Sequence, residues 1–447
     1  MEKQRRDFIK KTALGAAGVT FGGILPGFSA SSYANIIGSN DRLRAATMGV
    51  NSRGSAVGAN FAMQDECEIL YSCDVDSRAS QKYIEKIAGI QTKRPKHVTD
   101  FRRALEDKDV DLLIIATPDH WHTPATIEAV KAGKHVYVEK PASHNPREGE
   151  MVVEAAKKYD RVVQMGNQRR SWPNVIKAIE ELHGGIIGRP YFAKTWYANN
   201  RPSIGRGKEV AVPEWLDFDL WQGPAPREAY RDNLIHYNWH WFWNWGTGEA
   251  LNNGTHFVDI ARWGLDVDYP NKVSSNGGRY RYNDDWETPD TQMINLEFDN
   301  GGLITWEGRS CNGRSVEGSG VGVIFYGEEG SLMIEGGNAY KVYDLKNNLV
   351  KEVSGDRIIS TDNLQNPSQN LDVLHIQNFF DGIKNGAPLN SGIENGIKST
   401  LLVQLGNIAQ RTGQSLNINP ENGRILGNSE AQKLWGREYE PGWEVRV

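Results

Sequence analysis

The residue types that could move a hydride or a proton cluster at the ends of short apolar segments. Glu139-Lys140-Pro141 closes the segment His135 to Val138, and Thr117-Pro118-Asp119-His120-Trp121-His122 closes Asp111 to Ala116. If both segments are parallel strands, their C-terminal ends form the edge at which open α/β sheets bind ligands. A lysine cation and a histidine then meet at that edge. Taken alone, Lys140 reads as well as a solvated loop lysine. Gly49-Val50-Asn51-Ser52-Arg53-Gly54 follows the first candidate strand with G-x-G-x-x-G spacing, Asn51 standing for the second glycine. In such a turn the first glycine makes the bend and the helix start faces a pyrophosphate. Asn51 meets the close backbone approach less well, although asparagine reaches left-handed dihedrals. An ordinary glycine-rich turn reads the same way. Asp74, at the end of the second candidate strand, stands where a carboxylate bonds the ribose hydroxyls. Its charge favours NAD over NADP, while Arg78 nearby could pair a 2′-phosphate and keeps NADP as the lesser alternative. Asp76 reads as a helix cap.

Residues 43 to 165 alternate strand-like and helix-like segments, which predicts a parallel sheet covered on both faces. The candidate strands are Leu43 to Met48, Cys67 to Cys73, His97 with Val98, Asp111 to Ala116, His135 to Val138 and Arg161 to Met165. Thr123 and Pro124 read as the start of one helix ending before Gly133, and Asn145, Pro146 and Glu148 as the start of another. Beyond Asn167 the texture changes to alternating runs paired around Asp299 to Gly302, Glu328 to Gly330 and Asn347 with Asn348, an antiparallel meander. Ser391 to Glu394 has the spacing of a capping box opening a last helix that stops at Gly413. The expected architecture is α/β. A Rossmann doubly wound parallel sheet spans 41–165, an α/β domain with an open, mostly antiparallel sheet for substrate and oligomerisation spans 166–390, and a helix and tail span 391–447.

Of 447 residues, 39% are hydrophobic and 24% charged, enough for a large core in two or more domains; disorder as the main state is excluded. Lys plus Arg number 51 against 56 Asp plus Glu, so no basic footprint exists for nucleic acid. Cys67, Cys73 and Cys311 are too few for a disulfide framework and not spaced as a metal knuckle, and His120 with His122 lacks a third ligand. No metal is expected.

Arg5-Arg6-Asp7-Phe8-Ile9-Lys10, followed by TALGAAGVTFGGILPGFSA, resembles a twin-arginine (Tat) export signal over residues 1–34. The stretch is shorter than the ~20 residues of a spanning helix, so a stable membrane anchor is not expected. Ser32-Tyr33-Ala34 fits a cleavage site, which predicts a periplasmic protein starting near Asn35 and exported already folded by the Tat machinery. A basic, disordered tail is the other reading.

The turn at Gly49 to Gly54, Asp74, TPDHWHTPATIEAVKAGKHVYVEKP and GEALNNGTHFVDIARW resemble the Gfo/Idh/MocA oxidoreductases, of which glucose-fructose oxidoreductase and inositol dehydrogenase are typical. The resemblance covers nearly all of residues 41–440, and the wording is nearest the exported, Bacteroidetes-type branch. It implies a nicotinamide-binding Rossmann domain, Lys140 touching both cofactor and substrate hydroxyl, and assembly as a dimer or tetramer through the open sheet. It also implies an acid/base histidine with an aspartate four residues earlier. His256 matches the histidine, but the earlier residue is Asn252. Gly49, Asn51, Arg53, Gly54, Asp74, Thr117, Pro118, His122, Glu139, Lys140, Asn167 and Gln168 are assigned to the cofactor.

Chemistry points the same way. Oxidising a secondary alcohol needs a base for the proton and a cation to steady the alkoxide, roles that His256 and Lys140 fill. If residues 249–263 form a regular helix, Asn252, His256 and Asp259 share a face, and Asp259 can orient the imidazole. A satisfied core histidine is the plainer reading of His256. In the run His236 to Trp245, tryptophans at alternate positions share one face if the segment is extended. Trp239 and Trp241 then form a wall for a sugar with His240 supplying hydrogen bonds, or else a buried aromatic layer or subunit contact. Arg169 is placed, like Asn167 and Gln168, to reach the cofactor carboxamide or a sugar hydroxyl.

Outside the cytoplasm no free nicotinamide pool exists, so NAD should stay tightly bound and be reoxidised in place. A dehydrogenase handing hydride to a second sugar or electron carrier does this. So does a redox-neutral glycosidase: oxidation at carbon 3 acidifies the neighbouring C–H, the aglycone is eliminated, water adds and the hydride returns. A related NAD-dependent α-N-acetylgalactosaminidase family works in that way, and the local wording matches it less closely. A non-catalytic sugar-binding sensor is the third reading.

Overall fold

The computed structural model describes residues 42–355 and 369–447. The export signal read at 1–34 and its cleavage site lie outside the described residues. Among the described residues no helix is long and apolar enough to cross a membrane.

Six parallel strands, β1 (Leu43–Met48), β2 (Cys67–Cys73), β3 (Lys96–Val98), β4 (Leu112–Ile115), β5 (His135–Val138) and β6 (Val163–Met165), lie in the order β3-β2-β1-β4-β5-β6. The chain reverses direction across the sheet between β1 and β4, which opens a ligand crevice at their C-terminal ends. Leu112, Leu113, Ile114 and Ile115 are all fully buried because both faces are covered. Ala45, Ile69 and Ile114 pack under Val57 and Tyr83, and also under Phe379 and Phe380 of the late helix Gln369–Asn385. Phe61 meets Tyr137 and Phe380 edge-on at 5.3 and 5.6 Å. Each such buried aromatic contributes about 1.5–3 kcal/mol, so the chain's last third is fastened back onto its first sheet. The other face lies under the helices Asp119–Lys131 and Pro146–Lys158.

The second sheet has ten strands: β7 (Pro190–Ala198), β8 (Lys272–Gly278), β9 (Thr291–Glu297), β10 (Leu303–Arg309), β11 (Val321–Gly327), β12 (Gly330–Ile334), β13 (Tyr340–Asp344), β14 (Leu349–Val353), β15 (Leu416–Ile418) and β16 (Ile425–Leu426). The expected hairpins β9–β10, β11–β12 and β13–β14 all form. They are not a simple meander. β7 inserts between β10 and β11, parallel to the former and antiparallel to the latter, so the sheet is mixed. On β10, Ile304 and Trp306 turn inward while Thr305 and Glu307 turn away. The inner face lies against the helices Pro173–His183, Thr255–Gly264 and Ile393–Thr412.

Two helix starts differ from the reading. Thr123 is not a cap: the helix begins at Asp119 behind Pro118, and Pro124 lies inside it. A proline in the sixth position leaves the carbonyl of His120 without its ladder partner; Arg437 Nη2 donates to it at 2.7 Å. Thr123 Oγ1 instead donates to the Ala142 carbonyl. Ser391 does not cap the last helix either. Its carbonyl accepts from Met165 N at 2.9 Å, which pulls it onto the edge of β6, and Gly392 takes the cap position without a side chain. Asn145 does cap its helix, accepting from Glu148 N at 3.0 Å, as Asp76 caps the helix Ser77–Ala88.

Candidate active site

A cavity of about 850 Å³ opens at the C-terminal ends of β1, β2, β4 and β5, within the usual size range of cofactor sites. Gly49 has φ +79°, and a Cβ there would lie 2.8 Å from the Ala116 carbonyl oxygen. At Gly54 a Cβ would lie 1.8 Å from the Gly49 oxygen, so Gly54 sits beneath the turn and does not line the cavity. Asn51 lines the cavity and is not among the residues with positive φ, which removes the steric objection to it. The helix Arg53–Ala62 starts with no side-chain cap on its N–H groups and no acid in its first turn. Such an end attracts an anion. Asp74, 9% exposed, accepts from Val50 N at 2.6 Å and Asp76 N at 2.9 Å; burial raises its pKa against the pull of those donors. Thr117 lines the cavity beside Pro118 with its Oγ1 buried and without a partner among the described residues. An open helix start, a turn with no room for a Cβ, a carboxylate and an orphaned hydroxyl fit a dinucleotide.

At the rim, Arg78 donates to both oxygens of Asp76 at 3.1 and 2.9 Å, and its guanidinium lies 3.3 Å from the centre of the Trp215 ring. Asp76 also meets His236 Nε2 at 2.9 Å and is held down to about 2, its hydrogen bonds to Arg78 and His236 outweighing the effect of burial. Asp76 is thus a cap and a latch together.

On the inner side, the Lys140 ammonium donates to the backbone carbonyl of Asn252 and, at 3.1 Å, to its Oδ1. Burial pushes the lysine pKa down, with Glu139 and Asp119 opposing. Asn252 Nδ2 donates to Glu249, which is held by Arg201 at 2.6 Å. His256 lines the same cavity. Burial, reinforced by the Arg169 and Lys140 cations, holds its imidazole well below the ordinary range, hence neutral. Its Nδ1 is buried with no hydrogen-bond partner among the described residues. Glu139 accepts from Arg53 Nε and from Gln168 Nε2, both at 2.9 Å, and Arg53 also reaches Asp372 at 3.2 Å. Arg53 and Gln168 are therefore braced from inside the protein as they face the cavity.

Three expectations fail here. Asp259 does not orient His256: Arg170 takes both its oxygens at 2.8 and 2.9 Å, and Ser399 donates to it as well. A buried two-pronged charge pair outcompetes a neutral ring for the same carboxylate. The chain from Ala250 to Gly254 is moreover a wide π-type turn before the regular helix Thr255–Gly264, so the assumed helical register does not run through. Asn167 is buried off the cavity, and neither side-chain amide atom finds a partner among the described residues. The aromatic run is not extended. Asn238–Trp241 is a three-residue-per-turn helix after Tyr237 at φ +83°, and that period sends residues two apart in different directions. Trp239 stacks on His240 at 3.6 Å, Trp241 on Trp286 at 3.8 Å, and Trp245 is buried against Trp221. Trp239, His240 and Trp241 still line the cavity.

His122 is locked between the carbonyls of Pro141 (2.6 Å) and Thr117 (2.9 Å). His120 faces those of Trp221 and Trp245 and is pushed down to about 3 by burial. Among the described residues no three His, Cys, Asp or Glu side chains gather as a metal site. Arg201, Tyr237, Trp286 and Asp372 line the cavity and were not singled out in the sequence. The pairing of Asp372 with Arg53 across 319 positions leaves no local signal.

Residues 43–167 match a family model described as an oxidoreductase family with an NAD-binding Rossmann fold, and residues 204–445 match the model of its C-terminal alpha/beta domain. A glycosyl hydrolase family 109 protein of Saccharopolyspora erythraea is 26% identical over 51% of this chain and 55% of its own length. An alpha-N-acetylgalactosaminidase of Shewanella oneidensis is 28% identical over 41% of this chain and 43% of its own. The chain thus spans about half the length of the curated relatives it matches. A levoglucosan dehydrogenase solved with NADH and levoglucosan superposes with a TM-score of 0.65 at 17% identity, over 84% of this chain and 99% of that one.

Proposed function

The chain belongs to the Gfo/Idh/MocA oxidoreductase family, and on that premise we propose that it transfers hydride between a secondary hydroxyl of a pyranose, glycoside or cyclitol and a tightly held NAD. The observation that carries this reading is that Lys140 and the neutral His256 line the same cavity as the glycine turn and Asp74.

When bound, NAD supplies the hydride acceptor. The start of the helix Arg53–Ala62 receives the pyrophosphate, and Asp74 the ribose hydroxyls. Arg78 is already committed to Asp76 and Trp215, which supports NAD over NADP. Lys140 holds the substrate oxygen and steadies its developing negative charge, while the His256 imidazole takes the hydroxyl proton. Trp239 and Trp241 line the cavity with one face of each already stacked on a neighbouring ring, and the aromatic surface of Trp239 suits the apolar C–H face of a sugar ring. Export by the twin-arginine signal belongs to the same proposal: the fold would take up NAD before export, and a second sugar or an electron carrier would accept the hydride in place.

A second reading, the redox-neutral glycosidase, is favoured by the glycosyl hydrolase and alpha-N-acetylgalactosaminidase relatives. A panel of aryl pyranosides given to the NAD-loaded enzyme distinguishes the two. The oxidoreductase reading expects lasting reduction at the nicotinamide absorbance band without phenol release. Phenol release with no net reduction would establish the glycosidase instead, and binding with neither signal would mark a sensor.

A further inference from the structure

Arg53, Arg170, Arg201, Arg262, Arg279 and Arg437 are all largely buried, and each holds a carboxylate at 2.6–2.9 Å. Arg169 is 5% exposed and, among the described residues, has no carboxylate within ion-pair distance. Its Nε and Nη2 share the Gly336 carbonyl at 3.4 and 3.2 Å, and its guanidinium rests on the faces of Trp172 and Phe257 at 5.0 and 4.9 Å. A buried guanidinium does not discharge in water-like conditions and demands a counter-ion. The six other arginines show how this chain ordinarily meets that demand.

Among the described residues the cavity offers none from within. Asp372, the carboxylate that acts on Arg169 most strongly, is bound to Arg53, as is Glu139. Asp119 is held by Thr247, and Asp74 by two backbone N–H groups. The nucleotide's phosphates belong to the helix start at Arg53, whereas Arg169 lies against Phe257, next in the chain to His256. Arg169 also lines the cavity with Lys140 and His256. The remaining edge of its planar fork suits a planar two-oxygen acceptor.

We propose that the missing counter-ion is carried by the substrate, a carboxylate on the sugar, so that the enzyme acts on uronic acids or their glycosides. The inference rests on the oxidoreductase reading and names its substrate class. The ring hydroxyl to be oxidised goes to Lys140 and His256, and the ring carboxylate to Arg169.

The test uses the NAD-loaded enzyme with methyl glucuronides and methyl galacturonides, their neutral glucoside and galactoside counterparts, and the 6-phosphates of those neutral glycosides, with the second-order rate of bound-nicotinamide reduction read from its absorbance. At least one acid is expected to exceed its neutral counterpart by about 100-fold. That preference should vanish in Arg169→Gln and return in part in Arg169→Lys, with melting temperatures confirming that both variants fold. Neutral sugars turned over as well as the acids, a preference for the phosphates, or a preference that survives Arg169→Gln would overturn the assignment. Neutral sugars reducing the cofactor while acids do not refutes this inference alone. If no pyranoside of any kind does so, the oxidoreductase reading falls with it.

Discussion

The Lys140 ammonium is held from one side by a single residue, Asn252, through its backbone carbonyl and its side-chain oxygen. The carbonyl comes from the wide turn Ala250–Gly254, where hydrogen bonds are out of step with a regular helix. Two neutral acceptors orient the lysine without the strong stabilisation that a carboxylate gives to an ammonium, and burial keeps its pKa below the ordinary 10.5. Activity that needs the protonated lysine should therefore fall on the alkaline side before that value. Asn252→Asp places a carboxylate beside the ammonium and raises its pKa. The alkaline limb of kcat should move to higher pH in this variant; an unmoved limb would assign it to another group.

Removing either reacting side chain tests the division of labour. Lys140→Met and His256→Ala should each lower turnover by about 10²–10⁴-fold, read as the initial rate of nicotinamide reduction, with melting temperatures close to wild type. Full activity in either variant contradicts the assignment. Since His256 is neutral well below the ordinary 6.5, the acid limb of the wild-type profile should lie below that value as well.

Acid should destabilise the fold earlier than carboxylate titration alone requires. Burial depresses His120 to about 3 and His375 to about 4, and takes His144, His240 and His256 well below 6.5. Below 6.5 the unfolded chain binds protons that the folded chain refuses, so stability falls as pH drops from 6.5 toward the folded values. Each such imidazole steepens the loss by up to about 1.4 kcal/mol per pH unit. Thermal melting across pH should show a drop that begins near 6.5. A melting temperature constant from about pH 7 to about pH 5 is the contrary result.

Asp259 is a structural anchor and not part of the proton path. Asp259→Asn leaves the Arg170 charge buried without its partner, which should destabilise the protein by about 3–5 kcal/mol while the pH profile of the folded fraction stays put. Denaturant unfolding and a kcat profile together check it. A displaced acid limb would restore Asp259 to the role of orienting His256.

The first sheet was legible because its central strands are buried on both faces: β1, β2 and β5 run where the apolar segments run, Asp74 and Lys140 fall at the C-terminal ends of β2 and β5, and Thr117 lies just beyond β4. The errors came where tertiary partners overrode local signals. Pro124 reads as a helix start until Arg437, more than 300 positions away, is seen to satisfy the carbonyl it exposes. The alternating tryptophans suggest an extended strand, yet Trp241 finds its face-to-face partner, Trp286, in a distant loop while Trp239 stacks on its own neighbour His240. Arg53 could be read as a phosphate-loop residue, but not that Glu139 and Asp372 brace it. His256 was within reach of the motif; the π-type turn that precedes it was not.

The most direct measurement is the nucleotide content of the protein purified without added cofactor. After denaturation, the released material is identified by mass and counted by absorbance. Close to one NAD per chain, and no NADP, is expected. A protein that releases no nucleotide, and then fails to take up NAD when it is offered, is not a nicotinamide-dependent oxidoreductase.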